Sequence, residues 1–404
     1  MAELTIGQRI RLVRQQRGLS IRQASGLAGI ADSTLSRIER GERSADNRHM
    51  LADIARALRC SVADLTGEPT AVEDRTAGRV AGQVHETLQA LLDTDLDLPA
   101  TVRDPWPVDQ LAAGVLAVQE ACLSCRYADA VAQLAPLLRH AHARVHGPDR
   151  DDALHALSGA ARWAMVTLKC LGHSSQAWIA AERSHDAARA LGDPIVIGVA
   201  AWSRGHAATS CGAYARGVAV ALAGIDALRD EATPRAVQVS GSLHLLAGWA
   251  EWGLGHQDEG DALIREADRL ARTVGDTDAE GDPHGLVFGV PNVTLWRLSA
   301  AVEAGDPGLA VELGRSDELV GSLQRGTLPI SRQGALYLDL ARALADSGDT
   351  GRAIRTILRA ERVAPERIRT SAIARETVRG LVAARRQETD RALGGLAERL
   401  HITQ

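Results

Sequence analysis

Two short amphipathic segments near the N-terminus, separated by a glycine, constrain the fold of this chain more than any other feature. Ser20 has the side chain of a helix N-cap and Gly29 suits a tight turn, so the pattern predicts a short helix, a turn and a second helix. In the second segment Leu35 and Ile38 recur at helical spacing and are predicted to face inward. The polar side chains around them then face solvent. The result is a helix-turn-helix whose polar, Arg-bearing second helix suits a DNA major groove.

The stretch from Ile6 to about Leu65 resembles the Cro/CI-type (XRE) family of DNA-binding domains. The resemblance includes a leading helix at Ile6–Gln16 and a trailing helix at Arg48–Leu58. The residue pattern places the start of this trailing helix earlier, at Ala45. Ser61 and Asp64 read as a capping box and predict a short fifth helix. The resemblance therefore implies a five-helix, lambda-repressor-like DNA-binding head over residues 1–68.

The resemblance also assigns the DNA contacts. The positions that read base edges in the family are Asp32, Ser33, Thr34, Ser36 and Arg37. Arg37 suits a guanine O6/N7 pair, whereas Asp32 either accepts from a cytosine amine or caps its helix. The expected phosphate contacts, which fix register without reading sequence, are Arg22, Arg40, Arg43, Asn47 and Arg48. Glu39 is expected to pair with an arginine of the first helix.

Charge is divided unevenly along the chain. The formal net charge is −5, but residues 1–60 hold eleven arginines and six acidic residues, or +5, so the remainder carries −10. The positive field is confined to the head, where phosphate contacts need it, and the acidic remainder should repel DNA.

Composition excludes several classes of protein. The five cysteines have no disulfide-framework spacing and the N-terminus has no apolar signal core, so a reducing cytoplasm is expected. No apolar run approaches the roughly 18 residues that span a bilayer, so no membrane role is expected. Lys169 is the only lysine and does not follow a glycine, which excludes a phosphate-binding loop of the Gly-Lys-Ser/Thr type. No enzyme motif survives inspection, so the chain is predicted to be neither an enzyme nor a cofactor protein.

Residues 69–107 are predicted to be a linker, because polar and proline-bearing stretches flank a single helix at about 77–92. That helix is a candidate dimer contact.

From residue 108 onward there is no strand signal, and a small residue at a turn recurs with another small residue five positions later. The pairs are Cys125/Ala130, Gly172/Ala177, Gly212/Gly217, Gly255/Gly260, Gly305/Ala310 and Gly348/Ala353. The spacing of 40 to 50 residues fits two antiparallel helices per unit. The pattern resembles a degenerate tetratricopeptide array with longer helices, its register open by a residue or two. It implies an all-α chain in which residues 108–404 form a right-handed α-solenoid for sensing and dimerisation.

Several tryptophans fall on the first helix of a unit, which lines the concave groove in tetratricopeptide arrays. The positions expected to face the groove are Arg162, Lys169, Trp202, His206, Trp249, Trp252, Asn292 and Arg342. Each tryptophan either fills a gap between helix layers or contacts a ligand. Trp249 and Trp252 on one face, with basic groups beside them, favour a pocket for an apolar molecule or peptide with a carboxylate or other anionic end.

Two stretches of the sequence resemble metal sites, but neither meets the geometric requirements of the metal. Cys122, Cys125, His140 and His146 have zinc-like spacing, but a helix from Tyr127 would carry His140 roughly 20 Å from Cys125. The acidic loop 276–281 resembles the start of a calcium loop, but Val287 stands where the closing glutamate would be. No metal is expected.

The whole chain is similar to Gram-positive peptide-pheromone regulators and to actinobacterial regulators of the same layout. That resemblance implies a cytoplasmic transcription regulator that binds a two-fold operator in double-stranded DNA as a homodimer, controlled by a peptide or small-molecule signal. The alternative is a DNA-anchored scaffold whose repeats bind a partner protein. A third possibility is a catalytic body, which would use His206 and Arg162. A closed, Trp-lined pocket favours a small signal, whereas a large, open, polar face favours a protein partner.

Overall fold

A computed structural model describes residues 4–67, 75–100, 102–275, 282–384 and 391–402. Within these ranges the chain is helical and contains no strand. The all-α fold predicted from the sequence is confirmed: an N-terminal head of five helices is followed by a body of stacked helix pairs.

The head consists of α1 (Ile6–Gln16), α2 (Ile21–Ala28), α3 (Asp32–Glu39), α4 (Arg48–Leu58) and α5 (Val62–Thr66). Local capping sets these bounds. Ser20 is the N-cap of α2, as predicted, and also forms a capping box with Gln23. Ser61 completes the predicted capping box of α5, and Gly29 ends α2 with a φ of 69°. Helix α4 begins at Arg48, as the family resemblance implies, so the start at Ala45 that the residue pattern predicted was wrong. The Asn47 side chain accepts from the Met50 amide and begins the helix three residues later.

The body begins at α6 and ends at α22. Its first nine helices are α6 (Arg75–Asp93), α7 (Val108–Leu123), α8 (Tyr127–Arg144), α9 (Arg150–Cys170), α10 (Ser174–Leu191), α11 (Pro194–Ser210), α12 (Tyr214–Ala227), α13 (Pro234–Gly253) and α14 (Gln257–Val274). The remaining helices are α15 (Val290–Ala304), α16 (Pro307–Leu313), α17 (Asp317–Arg325), α18 (Ile330–Asp346), α19 (Thr350–Val363), α20 (Pro365–Thr370), α21 (Ala372–Ala384) and α22 (Arg391–Arg399). Consecutive helices pack as antiparallel pairs along the chain.

All six predicted turns join the two helices of a pair. The turn residue adopts a positive φ in every case, from 56° at Cys125 to 90° at Gly172. The second small residue lies early in the following helix and allows the two helices to approach. At Gly217, for example, a Cβ atom would lie 2.7 Å from Cγ2 of Thr209. A left-handed turn followed by a small contact residue is therefore the physical basis of the repeat.

The helix predicted within the linker belongs to the body instead. Helix α6 packs against α8 and α10, and its residues Val84, Ala90 and Leu91 are buried in the largest hydrophobic core. These apolar residues are therefore covered by this chain, and the role of α6 as a dimer contact stays a prediction.

The body departs from a regular array after α14. The second helix of the next pair is divided into α16 and α17, and the short α20 follows α19 directly. Helix α20 returns to the first pairs: Glu366 accepts from the Ala128 amide at 2.9 Å, and the Thr370 hydroxyl donates to the carbonyl of Cys170 at 2.8 Å. The body therefore closes on itself, and its concave side becomes a bounded space.

Candidate functional site: an exposed helix of the head and a cationic cavity

Helix α3 carries its predicted base-reading side chains on an open face. Asp32, Ser33 and Arg37 are exposed, and Thr34 and Ser36 are half-buried at the edge of the same face. Leu35 and Ile38 on the opposite face are each 1% exposed, as predicted. Nothing in the described part of the body covers the start of α3, so the docked head leaves this surface available to a partner.

Two polar contacts fix α3 relative to the other head helices. Arg14 of α1 forms a bidentate ion pair with Glu39, with donor–acceptor distances of 2.5 and 2.6 Å, which confirms the expected role of Glu39. The Ser25 hydroxyl of α2 donates to the Asp32 carboxylate. Asp32 does not cap α3 with its side chain, because the N-cap residue is Ala31 and no side-chain cap is formed.

The predicted phosphate contacts divide into two groups. Arg22, Arg40 and Arg43 are exposed, although Arg40 also pairs with Glu42 at 2.6 Å. Asn47 and Arg48, in contrast, bond to the body. The Asn47 amide donates to the carbonyl of Glu303 at 2.7 Å, and Arg48 pairs with the Glu303 carboxylate at 2.5 Å. These two residues hold the head in place in this arrangement and do not face outward with the others.

A buried ion network joins head and body. Glu303 of α15 accepts from Arg48 of the head and, at 2.8 Å, from Arg342 of α18. Asp339 lies 3.0 Å from Arg342 and 3.3 Å from Arg48. Arg342 also donates to the carbonyl of Asp46 at 2.7 Å. The positive charges of two arginines and the negative charges of two carboxylates thus balance at the interface between head and body.

Aromatic side chains form the other half of the interface. The His49 ring meets Tyr214 edge-on at 5.1 Å between centroids, and it lies 4.8 Å from Trp249. Ala52 of α4 packs in the same apolar cluster as Tyr214 and Val218. The head is therefore docked on the body through both charge pairing and apolar contact.

Acidification should weaken this docked structure through His49. Burial lowers the His49 pKa from 6.5 to about 4. The nearby Arg48 and Arg342 charges act in the same direction, whereas the Glu303 charge opposes the shift. The unfolded chain takes up the proton first, so the contribution of His49 to the free energy of unfolding should be constant above pH 6.5 and fall as the pH drops towards 4. Urea unfolding at pH 7 and pH 5 measures the change. His49→Phe should show a smaller decrease than the wild type; an equal decrease would contradict the assignment.

A cavity of about 430 Å³ lies between the head and the concave side of the body. The head contributes Leu51, Val62 and Gly67 to its wall, and the body contributes residues from both of its ends. Of the eight predicted ligand residues, the following line the cavity: Arg162, Lys169, Trp202, His206 and Trp249.

The other three predicted ligand residues lie elsewhere. Trp252 packs between α13 and α14, in the space that a Cβ atom at Gly260 would occupy. Asn292 is buried in the first turn of α15. Arg342 faces the concave side but is engaged by Glu303, Asp339 and the head. The groove positions were predicted by counting residues back from each turn. That count cannot distinguish these environments, because it contains no information on where the head docks.

The cavity wall combines aromatic rings with cations. His206 lies 4.1 Å from the Trp202 ring and 5.5 Å from that of Trp296, and Trp296 lies 6.4 Å from Trp249. Trp163 and Trp296 also line the cavity. Both belong to the tryptophans on the first helix of a unit, but they are not among the positions that the count from each turn predicted to face the groove. Arg332 and Arg367 were missed entirely, since Arg367 lies on α20, outside the repeat, and no sequence signal directs it to the cavity.

Four cations of the wall have no carboxylate partner. Arg162, Lys169, Arg332 and Arg367 form no ion pair within the residues that the structure describes. Burial lowers the pKa of Arg162 to about 10 and that of Lys169 to about 8. Burial and the neighbouring cations hold the His206 pKa well below its ordinary value, so this ring is neutral at pH 7. Buried charges are normally paired, and a cluster of unpaired ones is typical of a ligand site.

The cysteines and histidines of the zinc-like pattern are placed in unrelated contacts. Cys122 bonds to the Thr167 hydroxyl at 3.2 Å, and the His140 ring stacks on Trp106 at 4.2 Å. In the described ranges no group of three or more metal-ligating side chains comes together. The calcium-like loop at 276–281 lies outside the described residues. None of the described helices is sufficiently long and apolar to cross a membrane.

In a comparison with known families, residues 5–66 match the model of a helix-turn-helix domain. No curated protein matches the chain. The matched range corresponds to α1–α5 and therefore to the whole head.

Proposed function

We propose that this protein is a sequence-specific DNA-binding transcription regulator whose helical body binds a signal in the cavity beneath the head. The observation that carries the proposal is the exposed face of α3 in a domain that matches the helix-turn-helix family. The excess of arginine in residues 1–60 over the acidic body supports contact with a polyanionic duplex by the head alone. In this proposal the protein acts in the cytoplasm.

One head of this size buries too little surface for typical specific affinity, so the proposal includes a homodimer on a two-fold operator. Selection of binding sequences from a pool of random duplexes tests it. The expected result is enrichment of a symmetric sequence whose half-sites are roughly one helical turn apart. Recovery of no preferred sequence would contradict specific recognition, and recovery of a single half-site would contradict the dimer.

Arg37 and Arg43 should have different effects on binding to the selected duplex. Arg37→Ala should cost about 1–3 kcal/mol on the selected sequence and relax the preference at one base pair. Arg43→Ala should weaken selected and random duplexes alike and reduce the dependence of affinity on salt. Affinity measured for both duplexes at several salt concentrations separates the two. Equal losses on both duplexes for Arg37→Ala would show that Arg37 does not read a base.

The shape of the cavity favours a small signal over a protein partner. The head covers the concave side, and the remaining space of about 430 Å³ falls within the range of small-molecule sites. A ligand in this space would touch Leu51 and Val62 of the head and Trp202 of the body together. Signal binding would therefore change the free energy of head docking directly, which supports control of DNA binding by the body.

The scaffold alternative requires an open, polar concave face, and the docked head argues against it. The proposal assigns the body a binding role without turnover, so His206 and Arg162 are ligand contacts in it. DNA affinity measured before and after addition of a cavity ligand tests the coupling. An unchanged affinity at saturating ligand would contradict control by the body.

A further inference from the structure

We propose that the cavity binds a compact aromatic or otherwise apolar molecule that carries a phosphate group. This inference rests on the proposed signal-binding role of the body and specifies the chemistry of the signal. It commits to a phosphorylated small molecule in preference to a peptide with a single terminal carboxylate.

The first support is the balance of charge in the cavity wall. Asp339 is the acidic lining residue, and its charge is already offset by Arg48 and Arg342 in the docking network. Asp282 acts on both Arg162 and Arg332 but lies beyond ion-pair distance, and its carboxylate accepts the amide of Val287. The four unpaired cations therefore leave a strongly positive space. One carboxylate supplies one negative charge, whereas a phosphate monoester supplies about 1.5 to 2 at pH 7.

The second support is the number of free donors. Arg162 is 2% exposed, and its Nε and one Nη have no acceptor in the described structure. Nε of Arg332 and Nε of Arg367 are also buried without an acceptor. A phosphate presents three strong acceptor oxygens in a compact group, and arginine pairs well with this geometry. A carboxylate offers these four donor nitrogens only two acceptor oxygens, whereas a phosphate offers them three.

The third support is the position of Arg332 within the cluster. Its charge lowers the pKa of Arg162, Lys169 and His206, so it lies within electrostatic reach of all three. All four cations line the same cavity, so a compact anion bound there would lie in the combined positive field of the cluster.

The apolar part of the ligand is indicated by the aromatic wall. The guanidinium carbon of Arg162 lies 4.3 Å from the Trp163 ring centroid and 5.3 Å from that of Trp202, so the cationic and aromatic parts are adjacent. Leu295, Trp296 and Leu338 extend the apolar wall. A flat ring system stacked among the tryptophans would place an attached phosphate beside the arginines.

Calorimetric titration of the full-length protein with three probes of the same shape tests the inference: 1-naphthyl phosphate, 1-naphthoate and 1-naphthol. The phosphate should bind at least about tenfold more tightly than the carboxylate, and the alcohol most weakly, because charge-assisted hydrogen bonds set the order. Inorganic phosphate alone should bind more weakly than the naphthyl ester. Equal affinity for the phosphate and the carboxylate, or for the phosphate and the alcohol, would overturn the inference.

Substitution of the cations provides the matched comparison. Lys169→Met and Arg332→Met should each reduce the affinity for 1-naphthyl phosphate by about tenfold or more and leave that for 1-naphthol nearly unchanged. Arg297→Met is the control, because Arg297 is exposed on α15, the helix of Trp296, and does not line the cavity. Unchanged phosphate affinity in both cavity variants would overturn the assignment.

A second measurement needs no ligand. Lys169→Met removes one of several mutually repelling cations in the cavity wall, so the Tm of the unliganded protein should rise relative to the wild type. A lower Tm would show that the wall is not electrostatically strained and would contradict the inference. All these measurements omit DNA, so failure here leaves duplex selection as a separate test of the regulator itself.

Discussion

Glu303→Gln should lower the free energy of unfolding by about 3–5 kcal/mol, because it leaves the buried Arg342 and the half-buried Arg48 without their shared carboxylate. Glu303 accepts from Arg48 at 2.5 Å and from Arg342 at 2.8 Å, and its side chain has no exposed surface. The charges of both arginines lower its pKa against the opposing effect of burial, so it is ionised at neutral pH. Urea denaturation at pH 7 gives the change in free energy. Amide hydrogen exchange in α4 should accelerate if the head is released.

Two comparisons make this expectation specific. Arg48→Gln should cost less than Glu303→Gln, because Arg342 then still neutralises part of the remaining acidic charge and the Arg48 side chain is 29% exposed. Glu312→Gln, at an exposed position on α16, should change stability by no more than about 0.5 kcal/mol. A free energy of unfolding that is the same in Glu303→Gln and Glu312→Gln would contradict the role of the network.

Gly7→Ala should destabilise the head by about 1–3 kcal/mol or more and abolish DNA binding. A Cβ atom at Gly7 would overlap the carbonyl oxygen of Ile38 and lie 3.0 Å from its carbon. The obstructing atoms belong to the backbone of α3, so no side-chain rotation can relieve the contact. Helix α1 would have to move away from α3, and the Arg14–Glu39 ion pair between the same helices would be strained.

Gly26→Ala is the matched control in the same domain. Gly26 is also helical, but a Cβ atom there would meet nothing within 4 Å. This change should stabilise the head by about 0.5–1 kcal/mol through helix propensity. Thermal unfolding and duplex retention of the full chain report both effects. Retained DNA binding in Gly7→Ala would show that α1 and α3 are not locked as described.

The elements that the sequence predicts well are those specified by neighbouring residues. Ser20, Gly29 and Ser61 each act on their own helix terminus, so the head helices follow from local capping and periodicity. The body turns follow from a residue in the left-handed region and a small residue five positions later, as at Gly172 and Ala177. Both signals are local, so both can be recognised in the sequence without knowledge of tertiary contacts.

The elements that the sequence does not reveal depend on distant contacts. Nothing in the composition of α20 indicates that it meets the α8–α9 region, yet this closure brings Arg367 into the cavity. The docking of the head likewise converts Arg48 from an expected phosphate contact into an interface residue. Arg332 was missed for the same reason. A groove inferred from repeat geometry gives the first helices that face inward but cannot say what lies opposite them.

The ring series that runs from Trp202 through His206, Trp296 and Trp249 to His49 has a practical consequence. Four of the seven tryptophans border the cavity, and one of them touches the head. The intrinsic fluorescence of these indoles therefore reports whether the head is docked. Departure of the head would expose Trp249 to solvent and shift its emission to longer wavelengths, so no dye has to be attached to the protein.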